Sequence, residues 1–138
     1  MKLKQILAYT NDILTEQMLA EMANIPADVS GIGSVYMYAS TKDVVNGRHG
    51  PRIKISNVPN RFDVNDCFVM LVDKFNPTTK GIVKLSKAAV RDIEDWVRQN
   101  FEVLMSYWNK APYPMKDGTV VGPILTKPEL IAALTPLV

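Results

Sequence analysis

One hydrophobic stripe between residues 86 and 110 constrains this chain more than any other feature. Val90, Ile93, Trp96, Val97, Phe101, Leu104, Met105 and Trp108 recur at i, i+3, i+4 spacing, while Arg91, Asp92, Glu94, Asp95, Arg98, Gln99 and Glu102 fill the opposite side. Ser86 is a good N-cap, and Ala89 at the third helical position denies it a capping box. The spacing predicts a single helix of about 22 residues, roughly 33 Å long at the α-helical rise. Such a helix can cover a four-stranded sheet. Trp96 and Trp108 belong to this stripe and read as core rather than as a binding surface.

The segments before the stripe supply that sheet. Val35 to Ala39 puts Tyr36 and Tyr38 on one face and Val35, Met37 and Ala39 on the other. Arg52 to Ser56 alternates, with Ile53 and Ile55 expected inward and Arg52 and Lys54 outward. Phe68 to Phe75 is a nearly continuous apolar strand, and Gly81 to Leu85 reads as a fourth. Asn46-Gly47, Gly50-Pro51, Pro59-Asn60 and Asn76-Pro77 carry turn chemistry, so successive strands favour an antiparallel meander. Residues 10–24 read as an N-terminal helix ended by Asn24 and Pro26. The expected class is α+β: an N-terminal helix, a four-stranded mainly antiparallel sheet under one long amphipathic helix, and a short C-terminal helix.

The chain divides, on this reading, into a single domain over 1–110 and an ordered appendage over 111–138. Pro112, Pro114, Gly118, Gly122 and Pro123 punctuate the appendage, with one short strand at Thr119 to Val121. Thr126-Lys127-Pro128-Glu129 forms a capping box ahead of a helix from Leu130 to Leu134, stopped by Pro136. Its apolar content is too high for disorder, so it is expected to pack on the core or on a second chain.

Length and composition exclude several classes. At 138 residues with 47% hydrophobic and 22% charged side chains, the chain has the makeup of one ordinary globular domain that needs no disulfide or structural metal. The net charge of +2 favours no partner class, and the longest apolar run, Phe68 to Val72, is far too short to cross a bilayer. Asn11 and Asp12 interrupt the apolar stretch behind Lys2 and Lys4, so no signal-peptide core forms and a cytoplasmic protein is expected. Cys67 is the only cysteine. Beside an apolar run it reads as a small buried hydrophobe rather than a nucleophile, which would need an electropositive, partly exposed setting.

One window could carry chemistry. Residues 42–61 hold Lys42, Arg48, Arg52, Lys54 and Arg61 against Asp43 alone, and five against one leaves +4. The window also contains the only histidine, His49, between two glycines that let backbone approach a ligand. Arg48, His49 and Arg52 can donate to phosphate or carboxylate oxygens, and Tyr36 and Tyr38 could supply a stacking surface. The candidate anion- or nucleic-acid-binding residues are therefore Arg48, His49, Arg52, Lys54, Arg61, Tyr36 and Tyr38. Against this stands the ordinary chemistry of a turn and of a basic strand edge that resists edge-to-edge pairing. No carboxylate or nucleophile stands at a diagnostic spacing from His49, so no catalytic residue is assigned. One histidine and one cysteine cannot fill a zinc site, and phosphate-loop, dinucleotide and nucleophile-elbow motifs are missing, so no metal and no cofactor are expected.

An ordered series of short motifs adds a resemblance. Tyr36-Met37-Tyr38, then His49-Gly50-Pro51-Arg52-Ile53-Lys54-Ile55, then Leu85-Ser86-Lys87 leading a helix that closes Leu104-Met105-Ser106-Tyr107-Trp108-Asn109, resembles a group of small uncharacterised bacterial and phage domains. These carry a strand, a His/Pro turn, a strand, and a helix ending Leu-x-x-x-Trp-Asn, and the similarity spans residues 35–110. It implies an accessory protein of a phage or mobile element. Arg52 and Ile53 stand where that family's second histidine would be, which argues against a shared histidine-based activity. The reading is therefore a non-enzymatic interaction protein that binds a host or cognate protein, with a homodimer left open. The alternative is a nucleic-acid-binding module, or a small metal-free ribonuclease, built on the 42–61 window.

Overall fold

Residues whose apolar side chains alternate with a period of two pair into one antiparallel sheet, and that sheet organises the molecule. The computed structural model describes residues 16–44, 50–115, 117–121 and 124–137. A short helix α1 (Glu16–Glu21) leads into β1 (Ala23–Ile25), and a single turn of helix α2 (Ala27–Ser30) precedes β2 (Met37–Ala39). Then follow β3 (Arg52–Ser56), β4 (Cys67–Leu71) and β5 (Thr79–Lys80). The strands lie in chain order β1-β2-β3-β4-β5, every pair antiparallel, as a meander requires. The protein is α+β.

The strand count differs from the expectation at both edges. Part of the helix expected over 10–24 falls outside the described residues, and its end is a strand instead. Ala23 and Ile25 are buried with Asn24 exposed between them, and they pair with Ala39 and Met37. The sheet therefore takes over the end of the expected helix, while Met18 stays in α1. The fourth strand expected over 81–85 is also displaced, to Thr79–Lys80. Gly81 takes φ +100°, which ends the strand. Beyond it the backbone bonds a side chain rather than a strand: Asn57 Nδ2 donates to the Ile82 carbonyl at 2.9 Å, and its Oδ1 accepts the Lys84 amide at 2.8 Å.

The long stripe does form helix, in two pieces. Ser86 caps α3 (Lys87–Gln99) by accepting the Ala89 amide at 3.1 Å, and α4 (Phe101–Trp108) follows after one residue. The break is Asn100, at φ −106° and ψ 17°, whose Nδ2 donates to the Trp96 carbonyl at 3.0 Å. The buried side runs Ile93, Trp96, Val97, Asn100, Val103, Leu104, Tyr107 and Trp108, while Phe101 and Met105 are only half-buried. Asn100 thus occupies a core position of the stripe itself.

One face of the sheet meets these helices. Ile25, Met37, Ile53, Ile55, Phe68 and Met70 belong to the same cluster as Ile93, Trp96 and Leu104. The C-terminal segment completes that cluster. A ribbon of β6 (Tyr113–Pro114) and β7 (Val120–Val121) leads to α5 (Lys127–Ala133), and Leu125, Leu130, Ala133 and Leu134 are buried in the common core. Glu129 accepts both the amide and the hydroxyl of Thr126, at 3.0 and 2.6 Å, so the capping residues act as the sequence suggests. The tail then crosses α2. The Leu137 amide donates to the Ser30 carbonyl at 2.7 Å, and any β-carbon on Gly31 would lie 3.0 Å from the Leu137 backbone.

Candidate functional site

The basic window does not form one surface. β3 is the middle strand of five, and its side chains are buried on both faces of the sheet. Arg52 is 7% exposed and Lys54 1%, which corrects the expectation that they face solvent at a strand edge. Arg52 Nε donates to the Gly50 carbonyl at 3.2 Å. Lys54 lies between its register partners Tyr38 and Val69 on the sheet face away from the core helices. A cation held this deep is a structural element, because a phosphate could reach it only if the groups covering that face moved aside. Arg48 and His49 lie outside the described residues.

Two of the seven candidates do meet at an open surface. Tyr38 and Arg61 line a cleft of about 450 Å³ together with Leu19, Phe62 and Asp63. The Tyr38 and Phe62 rings pack edge to face at 4.9 Å and 77°. Arg61 reaches Asp63 at 3.7 Å, so its charge is partly met within the cleft. Tyr36 is half-buried, and its carbonyl accepts the Ser56 amide at 3.0 Å.

Cys67 behaves as its sequence neighbours suggest. It is half-buried, burial pushes its thiol up from the ordinary value, and Sγ stands 3.7 Å from the Val64 carbonyl. An elevated thiol holds less thiolate near neutrality, the opposite of an activated nucleophile. Among the described residues no group of three or more His, Cys, Asp or Glu could hold a metal ion, and no helix is long and apolar enough to cross a membrane.

A second surface escaped the sequence reading. The turn after β4, strand β5 and the segment up to α3 span residues 74–91, which contain Lys74, Lys80, Lys84, Lys87 and Arg91 and no acidic residue. That run is more basic than the 42–61 window, and this was the available signal. Within it stand Phe75, 81% exposed, and Ile82, 75% exposed, one before β5 and one after it. Lys74 Nζ lies 6.0 Å from the Phe75 ring centre and 4.0 Å from Glu102. Lys84 pairs with Asp66 at 3.0 Å, and Lys84 and Asn57 together hold the Asp66 carboxyl below the usual carboxylate range. Arg98 Nε fixes the turn by donating to the Phe75 carbonyl at 3.1 Å.

The backbone of β5 is half-used. The Leu71 amide donates to the Thr78 carbonyl at 2.8 Å, so Leu71 and Thr78 are a hydrogen-bonded pair. Met70 and Thr79 are the next pair along and must be a non-bonded one. The amide and carbonyl of Thr79 therefore point away from β4, toward the open edge of the sheet. No family model, no curated protein and no solved structure matches this chain.

Proposed function

We propose that this chain is a small non-enzymatic interaction protein, of the kind carried by phages and mobile elements, that acts in the cytoplasm by binding a host or cognate protein. The observation behind this reading is the open β5 edge, with Phe75 and Ile82 exposed on either side of it. Single exposed apolar residues are common, but two of this size before and after an edge strand with no second neighbour among the described residues combine apolar contact with backbone hydrogen-bonding capacity. The nucleic-acid alternative loses Arg52 and Lys54 to the interior and keeps Arg61 and Tyr38 at the cleft.

The test compares wild type with a Phe75→Ser, Ile82→Ser double variant as bait in bacterial lysate, alongside labelled single-stranded DNA and RNA at low salt. The reading expects one protein retained in stoichiometric amount by wild type and lost by the variant, at unchanged melting temperature. Salt-sensitive nucleic-acid binding with no such protein would overturn it.

A further inference from the structure

We infer that the partner contributes an acidic, extended segment that adds a sixth strand beside β5; this rests on the protein-binding reading above. Three independent features of the edge agree. First, Thr79 presents an amide and a carbonyl outward, and the Gly81 amide, trans to the inward carbonyl of Lys80, also points outward before the positive φ of Gly81 ends the strand, so a short segment laid beside β5 would find backbone hydrogen-bonding groups there. Second, residues 74–91 carry five basic side chains and no acid. Lys74 and Lys84 share their charge with Glu102 and Asp66, whereas Lys80, on β5 itself, makes no ion pair among the described residues. Third, Phe75 and Ile82, which precede and follow β5 in the chain, are both exposed and offer apolar contact to a segment longer than β5.

The charge decides among occupants. A second copy of this chain, paired edge to edge at β5, would bring Lys80 against its own equivalent. Like charges across a strand pair are destabilising, and lysine on an edge is a common barrier to self-pairing. Carboxylates at alternate positions of a foreign strand turn that repulsion into attraction and give the edge selectivity. A nucleic acid would satisfy the lysines but would leave the outward carbonyl of Thr79 without a backbone donor.

The probe is a capped ten-residue peptide of alternating Glu and Val, with a Lys/Val peptide of the same length as its counterpart, titrated into the full chain at low salt and followed by amide NMR. The acidic peptide should shift and protect the Thr79 and Gly81 amides, and should lose affinity about tenfold between low and high salt as the charges are screened. Lys80→Glu should abolish that binding without changing the melting temperature. Thr79→Pro, which removes only an outward amide, should weaken it further than Thr79→Ala does. Equal response to both peptides, response to neither, or binding of single-stranded DNA at the same amides instead would overturn strand addition. If the protein capture that depends on Phe75 and Ile82 survives such a result, the protein-binding reading stands and only the strand geometry falls. If both are lost, both fall.

Discussion

Asn100 and Thr135, 35 residues apart, bond each other in both directions: Asn100 Nδ2 donates to the Thr135 carbonyl at 3.0 Å, and Asn100 Oδ1 accepts the Thr135 amide at 2.8 Å. The same Nδ2 also donates to the Trp96 carbonyl, and Gln99 Nε2 donates to the Thr135 and Pro136 carbonyls. One amide side chain therefore interrupts the long helix and fastens the C-terminal tail to the interruption. Asn100→Ala should lower stability by about 1–3 kcal/mol, the penalty for leaving buried backbone groups unpaired. Urea denaturation checks it. A loss below about 0.5 kcal/mol, typical of surface changes, would show that the tail is not held here.

Trp96 is the largest side chain fully enclosed by the fold, and Phe101 is only half-buried. Trp96→Ala should cost about 3–5 kcal/mol, a large share of the stability of a domain this size. Phe101→Ala should cost clearly less. Because Trp96 Nε1 has no hydrogen-bond partner among the described residues, Trp96→Phe loses packing volume but no bond there and should be the mildest of the three. Thermal melts of the three variants give the order directly, and a Phe101→Ala midpoint below that of Trp96→Ala would contradict it.

Lys54 and Arg61 read alike in the sequence and should behave oppositely. Arg61 is an exposed residue in a loop, and Arg61→Ala should change stability by less than about 0.5 kcal/mol. Lys54 is enclosed, and truncating a long buried side chain costs about 2–5 kcal/mol in lost packing alone, so Lys54→Ala should destabilise by that order. Lys54→Met, which keeps much of the volume, should recover part of the loss. Equal, small effects of Lys54→Ala and Arg61→Ala in chemical denaturation would show that β3 has a solvated face after all.

Acid should unfold the protein through its carboxylates. Asp66 is held below its ordinary value by hydrogen bonds from Lys84 and Asn57, Asp73 by the amides of Asn76 and Phe75, and Glu129 by the hydroxyl and amide of Thr126. A depressed carboxyl contributes stability that is present above its unfolded-state value and is lost as the pH falls through the folded value. The melting temperature should therefore hold between neutrality and about pH 5 and fall below about pH 4. Asp66→Asn should lower the neutral-pH plateau slightly and flatten the acid limb. An acid limb unchanged by Asp66→Asn would remove this residue from the account.

Local pattern was enough to determine the α+β class, the antiparallel order, the Ser86 cap, the Thr126–Glu129 pairing and the apolar stripe, because each depends on residues within about one or two turns of each other. It also separated Tyr36 and Tyr38 from Met37 and Ala39, since strand alternation is a purely local rule. Tertiary structure decided the rest. Whether Lys54 is wet or buried depends on what covers the sheet face away from the helices, which no alternation within residues 52–56 can reveal. Whether Asn100 is a polar blemish in a helix or a clamp depends on Thr135 arriving beside it from the far end of the chain. The open β5 edge is of the same kind: its basic run is visible in the sequence, but an edge exists only once five strands have been laid in order and the last of them has no further neighbour among the described residues.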